Sequence, residues 1–350
     1  MDQKASTMLA AVFEGNGVLN VKEVPKPRVV KPDDVLIKVG AASICGSDLH
    51  ILHVPPGQYA KPGTILGHEY FGYVEEIGSG VIHYKPGDTV VVDNLQKCHV
   101  CGPCLEGHDN LCPNVVVYGQ TIDGGFSQYC VVKESQLLPI PETVPSYLAA
   151  QTEPLACVMN GMKKIHPIPT DHVAIFGMGP IGLTFIRVMK AYGVKHVAAC
   201  EMSEIRRKKA LECGADLAID LSTQDVETEL RKAWGNTCDI IVDAVGVGSV
   251  FSQAVNLLKM GGRLLIFGQN ANAISQVPPA VIVRNELTIM GTYCPHHTFP
   301  LAIQMLQDPS LELERIISHK IALEDIKQGI ELLETQQASR VIVYPNGFPE

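Results

Sequence analysis

The hexapeptide Gly177-Met178-Gly179-Pro180-Ile181-Gly182 stands between an apolar run, HVAIF, and a helix-patterned stretch, LTFIRVMKAYG. Few sequences can turn a strand into a helix so abruptly. The first glycine permits the tight turn, and the second lets backbone amides approach a pyrophosphate. The third lets the helix pack close to the strand, while the helix N-terminus faces the phosphate charge. A second run, HVAACE, ends in Glu201, nineteen residues after Gly182. A carboxylate there accepts hydrogen bonds from the adenosine ribose and repels a 2′-phosphate, which favours NAD over NADP. Arg206 works against that preference, because a flexible guanidinium near the ribose can meet a 2′-phosphate. The expected cofactor-binding residues are Gly177, Gly179, Pro180, Ile181, Gly182, Glu201 and Arg206, with Phe267 and Gly268 at the end of the run GGRLLIFGQ.

The surroundings of this turn suit it. From Asp171 onward, HVAIFG, HVAACE, DLAID, CDIIVDAVG, GGRLLIFGQ and LTIMGTY alternate with helical stretches such as SEIRRKKALECG. Continuous apolar strands between amphipathic helices predict a parallel sheet covered on both faces. The first 150 residues differ. MLAAVFE, VLNVKEV, DVLIKVGAASI, GYVEEIG, DTVVVD and FSQYCVVKE alternate apolar with polar residues and are punctuated by Gly and Pro, which predicts a compact all-β unit. The pattern changes at His166-Pro167-Ile168-Pro169. Two helix-like pieces, FPLAIQMLQ and LEDIKQGIELLET, and two strands, ISHKIAL and SRVIVYP, close the chain. At 350 residues two domains are expected.

Charge and cysteine content narrow the class. The net charge is −9, and the longest basic stretch is Arg206-Arg207-Lys208-Lys209, read as a solvated helix face. A nucleic-acid partner is therefore not expected. No run of 18 apolar residues exists, so no membrane span is expected. The apolar stretch Met8 to Phe13 is too short for a secretory signal. Eleven cysteines without such a signal predict a reducing, cytoplasmic setting and metal binding rather than disulfides.

Four of those cysteines, Cys98, Cys101, Cys104 and Cys112, crowd into a Gly- and Pro-containing loop. CxxC turns present two sulfurs to one ion, and four thiolates complete a tetrahedral Zn²⁺ site with no position left for substrate. A structural zinc is the expectation, although an iron–sulfur cluster also takes four thiolates. His99 and His108, inside the loop, are read as surface residues. Two further pieces are left over: Cys45-Gly46-Ser47-Asp48-Leu49-His50 and Gly67-His68-Glu69, followed later by Glu153-Pro154. A catalytic zinc needs about three protein ligands and an open position, which Cys45, His68 and a glutamate would supply. Taken singly, each is more often a buried cysteine or a satisfied histidine.

In the order CGSDLH, GHE, four-cysteine lobe, DGGFSQY (123–129), Glu153-Pro154 and nucleotide fingerprint, the chain resembles the zinc-containing medium-chain dehydrogenases along nearly its whole length. The resemblance implies a fold of class α/β plus β. A GroES-like catalytic β domain (1–155 and 294–350, with a zinc lobe at 94–115) would carry an inserted Rossmann NAD-binding domain, a doubly wound parallel sheet, at 156–293. It implies two Zn²⁺ per subunit. Glu153, where classical alcohol dehydrogenases have cysteine, resembles the polyol (sorbitol) dehydrogenase branch. In that branch Cys45 and His68 are direct ligands, while Glu69 and Glu153 bind the metal or hold its water. The resemblance also implies that Ser47 accepts the alcohol proton and relays it through the cofactor ribose towards His50, and that Asp48 orients His68.

Two departures bear on substrate. Sorbitol dehydrogenases carry a Tyr just after the CGSDxH segment and an Arg-Tyr pair after the last Rossmann strand. Here Ile51 stands at the first place, and Gly291-Thr292-Tyr293-Cys294-Pro295-His296-His297 at the second. His296 and His297 are candidates for hydrogen bonds to a polyol or a charged group. The expected activity is hydride transfer between a secondary hydroxyl of a polyhydroxylated small molecule (sugar alcohol, cyclitol or polyol phosphate) and NAD. L-Threonine 3-dehydrogenase-like oxidation is the alternative, although those enzymes usually place Asp at the position of Glu153. A non-catalytic nucleotide-binding protein of the same fold is the reading from another class; loss of chemistry should first remove the zinc ligands or Ser47, and all are present. The apolar strand Leu287 to Tyr293 is expected at a sheet edge covered by a second subunit, giving a homodimer or homotetramer.

Overall fold

The computed structural model describes residues 6–349. The chain divides into two compact units. One comprises the chain through Ala156, His296–Gln307 and the segment from Ile317 onward; the other comprises Cys157–Pro295 and Asp308–Ile316.

In the first unit the strand Asp34–Ser43 is the organising element. It pairs antiparallel with Glu69–Ile77, with Tyr129–Lys133 and with Val341–Tyr344. The sheet runs His319–Ala322, Val341–Tyr344, Asp34–Ser43, Glu69–Ile77, Thr89–Val92 and Leu137–Pro139. Register decides what meets at its end. Ser43 lies opposite Glu69 on one side and beside Ile342 on the other. The core beneath includes Val35, Ile37, Val39, Ile44, Leu66, Tyr70, Phe126 and Val341. The DGGFSQY segment clamps the turn before His68. Gly124 N–H donates to Ile65 O (2.9 Å) and Gly125 N–H to Gly67 O (2.7 Å). A Cβ on Gly124 would lie 2.1 Å from Gly67 O, so no side chain fits there.

The all-β expectation for this region needs amendment. Gly46–Leu52 and Gly102–Leu105 are short helices, and helix Thr152–Ile165 starts before the His166-Pro167 break. Seven residues are too few to display a 3.6-residue repeat. The longer helix is buried along most of its length, with only Lys163 exposed.

The second unit holds six parallel strands in the order Leu217–Asp220, His196–Glu201, His172–Phe176, Cys238–Asp243, Leu258–Ile266 and Thr288–Gly291. Numbered along the chain this is 3-2-1-4-5-6, the doubly wound order whose switch point lies at the carboxyl end of the first strand. Phe176 is level with both Cys200 and Asp243, so Gly177, Glu201 and Ala244 emerge together. The residues Asp308–Ile316, expected in the first domain, pack with the second unit instead. Buried Arg187 explains this: its guanidinium needs acceptors, and it finds Leu311 O (2.8 Å), Ser310 O (3.0 Å) and the Glu312 carboxylate (2.8 Å). Among the described residues no helix is long and apolar enough to cross a membrane.

Candidate active site

Cys45 is the residue immediately before helix Gly46–Leu52. Its N–H donates to Asp48 Oδ2 (3.0 Å), the carboxylate half of a capping box. Asp48 is fully buried, and its other oxygen lies 3.5 Å from His68 Nδ1. The Ser47 hydroxyl lies 3.2 Å from the opposite ring nitrogen, Nε2. One short helix therefore places a thiol, a hydroxyl and a carboxylate around one imidazole.

Cys45, His68 and Glu69 bring a thiol, a ring nitrogen and a carboxylate oxygen within 4.8 Å of one another. Glu69 is held from behind. Arg340 Nη1 donates to Glu69 Oε2 (2.8 Å), and the Ser43 hydroxyl donates to the same oxygen. Both Arg340 and Glu69 are 1% exposed. Glu69 Oε1, Asp48 Oδ1 and His68 Nδ1 are buried without a hydrogen-bond partner. Burial alone would push the His68 pKa down, but the charges of Asp48 and Cys45 raise it well above the ordinary imidazole value. Burial and the Glu69 charge push the Cys45 thiol up. Glu69 Oε1 is left for a further partner, and the donor set of one sulfur, one nitrogen and one oxygen suits Zn²⁺. Glu153 is buried in the first turn of helix Thr152–Ile165 and stands outside the three-donor group. His50, on the same helix as Ser47, is held below its usual pKa by burial and by the neighbouring His53.

The four lobe thiols also converge within 4.8 Å. Cys112 Sγ lies 3.5 Å from Cys98 Sγ and 3.9 Å from Cys101 Sγ. Four sulfurs at about 2.3 Å from a tetrahedral Zn²⁺ would be about 3.8 Å apart, so the spacing fits. Hydrogen bonds from Val100 N–H and Asn114 lower the Cys98 pKa to about 6. Desolvation and the adjacent thiols Cys101 and Cys112 push Cys104 up to about 12. A second thiolate beside the first is unfavourable without a cation. His296 and His297 both meet lobe residues. They turn to the lobe, where His296 Nε2 lies 2.7 Å from Gly107 O and His297 Nε2 lies 3.5 Å from Asp109 Oδ1.

In the second unit the glycine turn is built as its residues require. Gly177 has φ +89, and a Cβ on Gly182 would lie 1.9 Å from Gly177 O. Gly179 precedes helix Pro180–Ala191, which carries Pro180, Ile181 and Gly182, and a Cβ on Gly179 would meet nothing within 4 Å. That open space above the helix N-terminus fits a pyrophosphate. Glu201 accepts from Met178 N–H (2.9 Å) and Ser203 N–H (3.0 Å), so it braces the turn it was expected to serve. The basic stretch is not simply a solvated face. Arg206 Nη1 approaches Glu201 Oε2 at 4.0 Å, and Arg207 pairs with Asp220 at 2.9 Å; Lys208 alone is strongly exposed. Phe267 and Gly268 both donate through N–H to Asp243 O (2.9 Å each), which fixes them at the same carboxyl end of the sheet.

Sequence reasoning missed Arg340, Ser43 and Asp243. Arg340 lies 271 residues from Glu69 and precedes an ordinary apolar strand, so only strand register reveals it. Buried Asp243 accepts from Val245 and Gly246 N–H through Oδ1, and burial raises its pKa.

Two family profiles match the chain: the alcohol dehydrogenase GroES-like domain over residues 31–142 and the zinc-binding dehydrogenase domain over 180–308. D-altritol 5-dehydrogenase of Agrobacterium fabrum is 33% identical, over 91% of this chain and 94% of that protein. The structure of a short chain alcohol dehydrogenase (rspB) from E. coli CFT073 with the cofactor NADH superposes with a TM-score of 0.90 at 32% identity, covering 97% of this chain and 99% of that one. A putative zinc-binding dehydrogenase from Sinorhizobium meliloti 1021 bound to NADP gives 0.91 at 31% identity, covering 97% and 100%.

Proposed function

The chain belongs to the zinc-binding, medium-chain alcohol dehydrogenase family, and from that premise we propose that it transfers a hydride between a secondary hydroxyl of a polyhydroxylated small molecule and NAD. The observation that carries the proposal is the convergence of Cys45, His68 and Glu69 with Ser47 beside the same imidazole. The altritol-oxidising relative supports the substrate class. Zinc bound there supplies a Lewis acid that acidifies a hydroxyl, and a nicotinamide dinucleotide supplies the hydride acceptor.

The chain's own residues do the rest. Cys45, His68 and Glu69 would hold the metal and leave a place for the substrate hydroxyl, and Glu153 would be the second carboxylate that binds the metal or holds its water. Asp48 Oδ1, 3.5 Å from His68 Nδ1, sets its charge beside that nitrogen, so Nε2 is the nitrogen presented to the cluster. Arg340 and Ser43 occupy one oxygen of Glu69 and leave the other for the metal. Ser47 takes the proton that the substrate hydroxyl loses as it gives up its own, and His50, whose pKa burial and His53 lower, is the base at the end of that relay. Cys98, Cys101, Cys104 and Cys112 hold a second, structural zinc. Gly177 to Gly182, Phe267 and Gly268 seat the dinucleotide, and Glu201 turns preference to NAD, with Arg206 as the opposing influence.

Strand Thr288–Gly291 ends the six-stranded sheet. We assign its free edge to pairing with a second copy, giving a dimer or a tetramer of dimers, which sedimentation would reveal. The functional proposal is tested by NAD reduction across a panel of polyols, polyol phosphates, amino-cyclitols and L-threonine. Turnover best on a polyol or polyol phosphate supports it, and turnover confined to threonine replaces it. Glu201→Ala should relax discrimination against NADP in the same assay; an unchanged preference would mean the ribose is read elsewhere.

A further inference from the structure

Apart from the two donor sets already described, Asp109, His296 and His297 bring one carboxylate oxygen and two imidazole nitrogens within 4.8 Å of one another. All three belong to the first unit. Asp109 lies inside the four-cysteine lobe, and the histidines begin the segment with which the chain re-enters that unit. His297 Nε2 is 3.5 Å from Asp109 Oδ1. His296 Nε2 is 4.0 Å from the same oxygen and 2.7 Å from Gly107 O. Both oxygens that face His296 Nε2 are acceptors, and neither can donate to it. That nitrogen is satisfied only by carrying a proton or by facing a cation.

We propose that Asp109, His296 and His297 form a third metal site, for a divalent transition cation such as Zn²⁺ or Ni²⁺. Two imidazoles and one carboxylate are an intermediate-hard set that suits these ions and contains no sulfur, unlike either donor set above. Ligands about 2.1 Å from a tetrahedral ion lie about 3.4 Å apart. His297 and Asp109 already stand at that separation, and His296 must move by about half an ångström to match it. Gly107 O lies beside the group as a further oxygen. The His297 side chain is 64% exposed, so water reaches the site and the ion exchanges readily. When loaded, the ion staples the lobe to the segment starting at His296. This site is independent of the dehydrogenase reading, since neither histidine nor Asp109 has a part in it.

The test uses the full-length holoenzyme, passed through a chelating resin so that only tightly held zinc remains, then titrated calorimetrically with Ni²⁺. One further ion per chain is expected. Asp109→Asn and His297→Asn should each weaken its binding about 10- to 100-fold or abolish it. Asparagine is chosen at 297 because that residue has φ +53, which asparagine tolerates. The exposed His83→Asn should leave binding unchanged. Cu²⁺ in the same place should give an electron paramagnetic resonance spectrum of nitrogen and oxygen ligation without sulfur. If Asp109→Asn does not fold, His297→Asn decides. No additional ion on the wild type, binding that survives in His297→Asn, or equal loss in His83→Asn overturns the proposal.

Discussion

The four lobe thiols come from fifteen consecutive residues, Cys98 to Cys112, whereas Cys45 and the His68-Glu69 pair come from segments 23 residues apart and depend on Arg340, near the far end of the chain. In the lobe, loop geometry alone gathers the donors, and three of its four cysteines are only half-buried. Around Cys45 the donors are gathered by strand register, and Asp48, His68 and Glu69 each keep one buried atom without a partner. A closed set of four identical donors can only hold. An open, mixed set under a buried field can hold and also polarise. The contrast supports the proposal that one cluster serves stability and the other chemistry.

The sharpest way to break that assignment is Cys45→Ala. Alcohol oxidation should fall about 10³-fold or more, because the Lewis acid is worth several kcal/mol to the transition state. NADH binding, followed by fluorescence titration, should persist, since the fingerprint is built wholly from the second unit. Metal analysis should find one zinc gone. Retained turnover would sink the zinc mechanism.

Asp48→Asn asks less and should cost less. The amide keeps the shape of the carboxylate but not its charge beside His68 Nδ1. Affinity for the zinc at Cys45 should weaken about 10- to 100-fold, measured by competition with a chelator, while the lobe zinc is unmoved. Equal weakening at both clusters would mean that Asp48 acts on folding and not on the imidazole.

Cys104→Ala turns the question around. The lobe should lose its zinc, and the apparent melting midpoint should drop by about 5 °C or more. Turnover per remaining zinc should stay within about threefold of wild type at 25 °C, where the rest of the unit is still folded. A loss of turnover as deep as that of Cys45→Ala would erase the difference between the clusters.

What could be read from sequence follows the same division. The lobe and the glycine turn were legible because their chemistry is local: CxxC spacing and a strand–turn–helix carry their own geometry. A parallel sheet covered on both faces was legible because apolar runs alternate with helices over 171–293, whereas its doubly wound order came only from the family resemblance. The Ser43–Glu69–Arg340 contact was not, because it exists only once Asp34–Ser43 pairs with both Glu69–Ile77 and Val341–Tyr344. Arg187 drawing Asp308–Ile316 into the second unit escaped for the same reason, its acceptors lying 123 to 125 residues away. Helix Gly46–Leu52 escaped because seven residues have too little periodicity. Its cap was nevertheless present in the spacing of Cys45 and Asp48.

The finest test concerns a group that only the open cluster needs. A relay base must be neutral to accept a proton, so activity should rise with pH through the pKa of His50. Burial and then the neighbouring His53, whose ring centroid is 5.6 Å away, hold that pKa below the ordinary value. The acid limb of kcat/KM is therefore expected below about pH 6.5. His53→Ala removes the smaller of the two causes and leaves burial in place. The His50 pKa should rise towards its ordinary value, and the limb should move to higher pH by less than about one unit. The plateau should not change, and neither should the melting midpoint, because the exposed His53–Glu334 pair at 3.7 Å contributes little. A limb that stays fixed or moves to lower pH would remove His50 from the relay and leave Ser47 to release the proton by another route.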